Sequence, residues 1–129
     1  MLKTIAIIFG LIMTIVGVLG FIPEALVEDR LFGIFRVDLI HNLIHIVTGV
    51  AALLCGFATE HTSRVFFQIF GIIYALVALA GFYYQNHPLF DLIAHNVADT
   101  WLHVVIAALS LFLGFFYHRR IDLPMDHHR

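Results

Sequence analysis

Four long apolar runs, separated by short polar breaks, leave this chain few ways to fold. They cover residues 4–22, 39–57, 65–84 and 97–117. A helix needs about 20 predominantly apolar residues to cross the hydrocarbon of a bilayer. Within hydrocarbon the backbone must satisfy its own hydrogen bonds, which selects helices for runs of this kind. Composition agrees: the chain is 61% hydrophobic and 12% charged, with a mean hydropathy of +0.96. A soluble domain is nearer half apolar and about a quarter charged. The expected architecture is therefore an all-α, four-transmembrane-helix bundle forming a single membrane domain over residues 1–129. The net charge of −2 gives no reason to expect nucleic acid as a partner, and the lone Cys55 excludes an intramolecular disulfide.

The breaks between runs carry their own signals. Lys3 precedes the first run, which is too long for a signal-peptide core and lacks a convincing cleavage site, so a retained helix ending at Pro23 is expected. Glu24 to Arg36 mixes charges with leucines and phenylalanines, as a short amphipathic segment at the interface would. Asp38 stands at an N-cap position before the second run, and Ala58 to Arg64 reads as a tight polar turn. Tyr83-Tyr84 ends the third run with aromatics suited to the headgroup region. A loop from Gln85 to Ala94 follows, Asn96 caps the fourth run, and His118-Arg119-Arg120 stops it. The Asp126-His127-His128-Arg129 tail reads as solvated rather than as a ligand set.

Two hairpins share one pattern, with repeat units at about 1–60 and 61–120. Gly10, Thr14, Gly17 and Gly20 match Gly71, Ala75, Ala78 and Gly81 at one constant offset. His41, His45, Gly49, Ala52 and Gly56 match Asp99, His103, Ala107, Ser110 and Gly114 at another. Each unit holds two spans, so the two hairpins are tandem and parallel-related, about an axis along the membrane normal. Small residues on one face let membrane helices approach closely. Gly10, Gly17, Gly49, Gly56, Gly71 and Gly114 are therefore the expected packing positions. His45 and His103 continue these faces and should look into the bundle.

Ionisable groups at membrane depth point to a purpose. His41 and His45 are four residues apart, as are Asp99 and His103, so each pair stacks on one helix face. One reading is structural. Asp99 at the third position after the Asn96 cap would complete a capping box, and His45 with His103 would form an interhelical hydrogen-bonded pair. A second reading is a divalent transition metal such as zinc, held by His41, His45, Asp99 and His103. A third is non-covalent haem between His45 and His103. A fourth follows the four-residue steps of Asp91, His95, Asp99 and His103, a conducting stripe if the fourth helix extends outward past its cap. Nucleophile–base pairs, phosphate loops and His-Glu-x-x-His motifs do not occur, so a non-enzymatic role is expected.

The stretch Leu31-Phe32-Gly33-Ile34-Phe35 leading into His41-Asn42-Leu43-Ile44-His45, followed by Asn96-x-Ala98-Asp99-x-Trp101-Leu102-His103, resembles a bacterial family. That family comprises small four-helix integral membrane proteins catalogued as a domain of unknown function. The resemblance covers nearly the whole chain and implies fold and location. Thr100, where the pattern implies asparagine, and Ala107, where it implies glycine, depart from it.

Basic residues set the expected orientation. Lys3, Arg64, Arg119, Arg120 and Arg129 fall on the terminal side, against Arg30 and Arg36 opposite. The positive-inside rule then places both termini in the cytoplasm of a multi-pass plasma (inner) membrane protein. The bilayer is the expected partner. The Gly10-Thr14-Gly17 face is a candidate surface for a second copy or another membrane protein.

Overall fold

The computed structural model describes residues 1–117; the His118-Arg119-Arg120 stop and the terminal histidine tail lie outside the described residues. Four helices are long and apolar enough to cross a membrane. They are α1 (Leu2–Leu19), α2 (Leu39–Ala58), α3 (Glu60–Tyr84) and α4 (Val97–Leu111), and α4 continues as a π-helical turn over Phe112–Phe116. Their outer faces carry large apolar side chains: Leu54, Phe57, Leu76 and Leu79 are each more than 60% exposed. A water-soluble protein rarely presents so continuous an apolar surface.

α1 packs chiefly on α2, and α3 on α4, while α2 and α3 touch far less. Close approach depends on glycine. A Cβ at Gly10 would stand 2.7 Å from the Gly49 carbonyl oxygen, and one at Gly114 would stand 2.7 Å from the Gln68 amide nitrogen. Gly17 likewise faces the Asn42 carbonyl, Gly56 the Lys3 carbonyl, and Gly71 the backbone of Leu111. The Gly10-Thr14-Gly17 face is therefore occupied by α2 of the same chain. It is not left over for a partner, because Gly49 opposite it brings the two backbones together.

Three segments differ from the sequence reading. The 24–36 stretch, expected as an amphipathic segment at the interface, forms a 3-10 turn (Pro23–Ala25) and a small antiparallel meander. Its strands are β1 (Leu26–Val27), β2 (Arg30–Leu31) and β3 (Phe35–Arg36). Positive φ at both Glu28 (51°) and Asp29 (61°) makes the first turn the hairpin type whose twist matches the strands. Gly33, at φ 72°, serves the second. Buried Leu31 pins the meander inward. The polar 58–64 stretch is almost all helix. Thr59 alone breaks it, ending α2 and capping α3, with Thr59 Oγ1 accepting from the Thr62 amide at 3.0 Å and Thr62 Oγ1 from the Thr59 amide at 3.1 Å. Polar residues there mark a first helical turn outside the apolar span rather than a loop. Glu60 next to it accepts from the backbone amides of Leu2 and Lys3, supplying the cap that Met1 does not. Finally, α4 begins at Val97, so Asp91 and His95 are not helical and the four-residue stripe does not exist as a helix face.

Candidate functional site

The site is built where the two helix starts, α2 and α4, meet the meander and the 85–96 loop. Asp38 caps α2, its Oδ1 accepting from the His41 amide at 2.8 Å. Its Oδ2 accepts from the Ala94 amide at 3.0 Å, which ties the loop to the helix. Asn96 caps α4 in a reciprocal box: its Oδ1 accepts from the Asp99 amide and Asp99 Oδ2 accepts from the Asn96 amide, each at 3.0 Å. The Asn96 side-chain amide donates to the Ile34 carbonyl at 2.8 Å, joining α4 to the meander. These caps fix the first turns of both helices, and hence the histidines they carry.

His41, His45 and His103 converge. Each is 3–4% exposed. One ring nitrogen from each lies within 4.8 Å of the others. The His41 and His45 rings are 4.6 Å apart, centroid to centroid, and His41 and His103 are 6.0 Å apart. His41 Nδ1 lies 2.8 Å from the Ala94 carbonyl and 3.1 Å from that of Arg36. Carbonyl oxygens only accept, so Nδ1 carries the proton and Nε2 keeps a bare lone pair. That Nε2 is buried without a partner, as are both nitrogens of His45 and Nδ1 of His103. Buried polar atoms are ordinarily paired, and each orphan costs about 1–3 kcal/mol. The three rings do not hydrogen-bond one another.

Asp99, counted with these residues from the sequence, does not join the converging set among the described residues. One of its oxygens completes the Asn96 cap. His41 faces the carbonyls of Arg36 and Ala94 rather than a carboxylate across the bundle.

Two neighbours were not counted with this cluster from the sequence: His95, which entered only as a step of the four-residue stripe, and Tyr74. His95 is fully buried, and its ring stacks against His103 at 6.1 Å. Its Nδ1 donates to the Gln85 carbonyl at 2.9 Å, and its Nε2 accepts from the Thr100 hydroxyl at 2.8 Å. Burial pushes this imidazole below its usual range, outweighing the Gln85 carbonyl that favours the charged form, and nearby His41 lowers it further. A Cβ at Gly81 would lie 2.9 Å from His95 Nε2, so α3 has a glycine where this pair nests. Tyr74 packs its ring 5.6 Å from His103 and donates to Thr48 Oγ1 at 3.2 Å. The four-residue steps reach His95 as part of a helix face, whereas a loop places it, and Tyr74 comes from a helix that contributes no histidine to the cluster.

The cluster borders a cavity of about 410 Å³ between α2 and α3. His41, His45 and His103 contribute to its lining, but the surface it presents is almost entirely apolar and the unpartnered ring nitrogens are buried away from it.

A helical protein with four membrane-length spans and three converging buried imidazoles is thus the class that fold and site define. More particularly, residues 3–116 match the family model described as Domain of unknown function (DUF4383), and the chain belongs to that family. Comparison with curated proteins and with solved structures finds no match.

Proposed function

We propose that this is a multi-pass plasma-membrane protein, both termini cytoplasmic, that holds a divalent transition metal ion on His41, His45 and His103. The observation that supports this is the cluster of unpartnered, buried ring nitrogens within 4.8 Å of one another. Neutral imidazoles suit zinc, copper or nickel. Two ligands at the usual 2.0–2.1 Å from zinc are at most about 4.2 Å apart, so small ring rotations complete the set. His41 has the hydrogen bonding of a metal-binding histidine, its far nitrogen held by carbonyls that fix tautomer and ring orientation. A purely structural network would require these nitrogens to bond to each other. Haem between His45 and His103 would have to pass His41, whose nitrogen lies within the same small radius.

We read the role as one of binding. The packing of α1 on α2 and of α3 on α4 supports the reading of two tandem hairpins.

The test is elemental analysis of detergent-purified protein together with Co(II) titration followed by visible absorption. Wild-type protein should bind about one ion per chain, and His45→Ala or His103→Ala should weaken binding on the order of 10-fold or more. His61→Ala, a histidine outside the cluster, should leave it unchanged. Equal metal content in all four proteins would remove the proposal.

A further inference from the structure

The caps of α2 and α4 each give one side-chain atom to their own helix and the other to the opposite half of the chain. Asp38 Oδ1 accepts from the His41 amide, while Oδ2 accepts from the Ala94 amide, 56 residues away, at 3.0 Å. Asn96 Oδ1 accepts from the Asp99 amide, while its side-chain NH2 donates to the Ile34 carbonyl at 2.8 Å. Capping alone does not distinguish Asp, Asn and Ser. The second atom does: an N–H partner requires an acceptor at position 38, and a C=O partner requires a donor at position 96.

Ala94, seated by Asp38 through its amide, offers its carbonyl to His41 Nδ1 at 2.8 Å. Which nitrogen of a neutral imidazole holds the proton is set by the hydrogen bonds the ring makes. Both nitrogens of His45 and Nδ1 of His103 lack partners, so His41 is the ring whose tautomer the protein holds. We infer that Asp38 is a positioning residue for the cluster: by seating Ala94 it keeps the His41 proton on Nδ1 and leaves Nε2 as a ligand atom. This rests on reading the three imidazoles as an ion site, and Asp38 acts there through Ala94 rather than as a ligand. The Arg36 carbonyl, 3.1 Å from Nδ1, is the longer of the two bonds. Without the Ala94 seat that bond alone would oppose the Nε2–H form, which puts a proton where an ion needs a lone pair.

The test uses the full chain in detergent micelles with ¹⁵N-labelled histidine, metal-free and during Co(II) titration. The ring ¹⁵N signals of His41, assigned with His41→Gln, read the tautomer, and the Co(II) visible bands read affinity and geometry. Asp38→Asn and Asp38→Ser both keep a capping oxygen for α2 but leave the Ala94 amide without its acceptor. Metal-free wild type should show a protonated Nδ1 and a bare Nε2 on His41. In both variants the two signals should move towards each other, and Co(II) affinity should fall about tenfold or more, with altered bands. Asp29→Asn, in the turn between β1 and β2, removes the same charge outside this network and should change neither. Variants whose His41 signals match wild type would overturn the inference, whatever their Co(II) affinity. Shifted signals with unchanged affinity would do the same, as would an equal loss of affinity in Asp29→Asn, which would make charge the cause. Wild-type protein that binds no Co(II) would instead sink the ion site, and the role of Asp38 with it, even if the tautomer is as expected.

Discussion

At the scale of single residues, His95 shows how a polar group survives burial in an apolar bundle. Its two nitrogens are matched to the Gln85 carbonyl and the Thr100 hydroxyl, so the neutral ring is fully satisfied, and burial disfavours the charged one. In the unfolded chain this ring takes up a proton near its ordinary value of 6.5; in the fold it does so only at lower pH. The unfolded state therefore binds more protons as pH falls below about 6.5, and folding stability declines over that window towards the lowered native value. Thermal unfolding in detergent should show the loss between neutral and mildly acidic pH. His95→Asn should flatten part of that slope, and an unchanged slope would mean that other groups carry it. His41, one of the three converging histidines, differs in kind, because its protonated nitrogen is held by carbonyls while the other has no protein partner.

Helix pairs are set by what their glycines allow. Gly114 lies against the Gln68 backbone, and its carbonyl also accepts from the Gln68 side chain at 2.9 Å and from Arg64 at 3.2 Å. These bonds serve the π-helical turn, whose backbone carbonyls are displaced from the regular helical ladder. Gly114→Leu should lower stability by about 1–3 kcal/mol through forced separation of α3 and α4. Leu109→Met on the exposed face of α4 should stay within about 0.5 kcal/mol of wild type. Denaturation in mixed detergent would compare the two, and similar midpoints would contradict the close-packing account. Phe66 is 3% exposed and belongs to the core, so a substitution there is no neutral control.

The whole molecule has two unlike ends. One carries Lys3 and the Thr59 break, joined through Glu60 to the start of α1. The other carries the meander, the 85–96 loop and the histidine cluster. With five basic residues assigned to the first end and two to the second, a cytoplasmic reporter fused after Arg129 should be active. An alkaline phosphatase fusion active at the same point would invert the orientation, and would place the cluster toward the cytoplasm.

The four spans were legible in the chain because length and apolarity alone decide whether a segment crosses hydrocarbon. The caps at Asp38 and Asn96 were legible because they depend on residues three apart. Inward-facing His45 and His103 followed from sharing a helix face with small residues. Tertiary structure decided the rest. Whether Asp99 turned to its own cap or to the histidines depended on competition between a local bond and a distant one. His41 was committed by the carbonyl of Ala94, 53 residues away. The 24–36 stretch paired as strands, since positive φ at Glu28 and Asp29 is not written in a hydrophobic pattern. The cavity arose because α2 and α3 pack mainly on other helices and only loosely on each other, and a sequence specifies such a gap only through every neighbour at once.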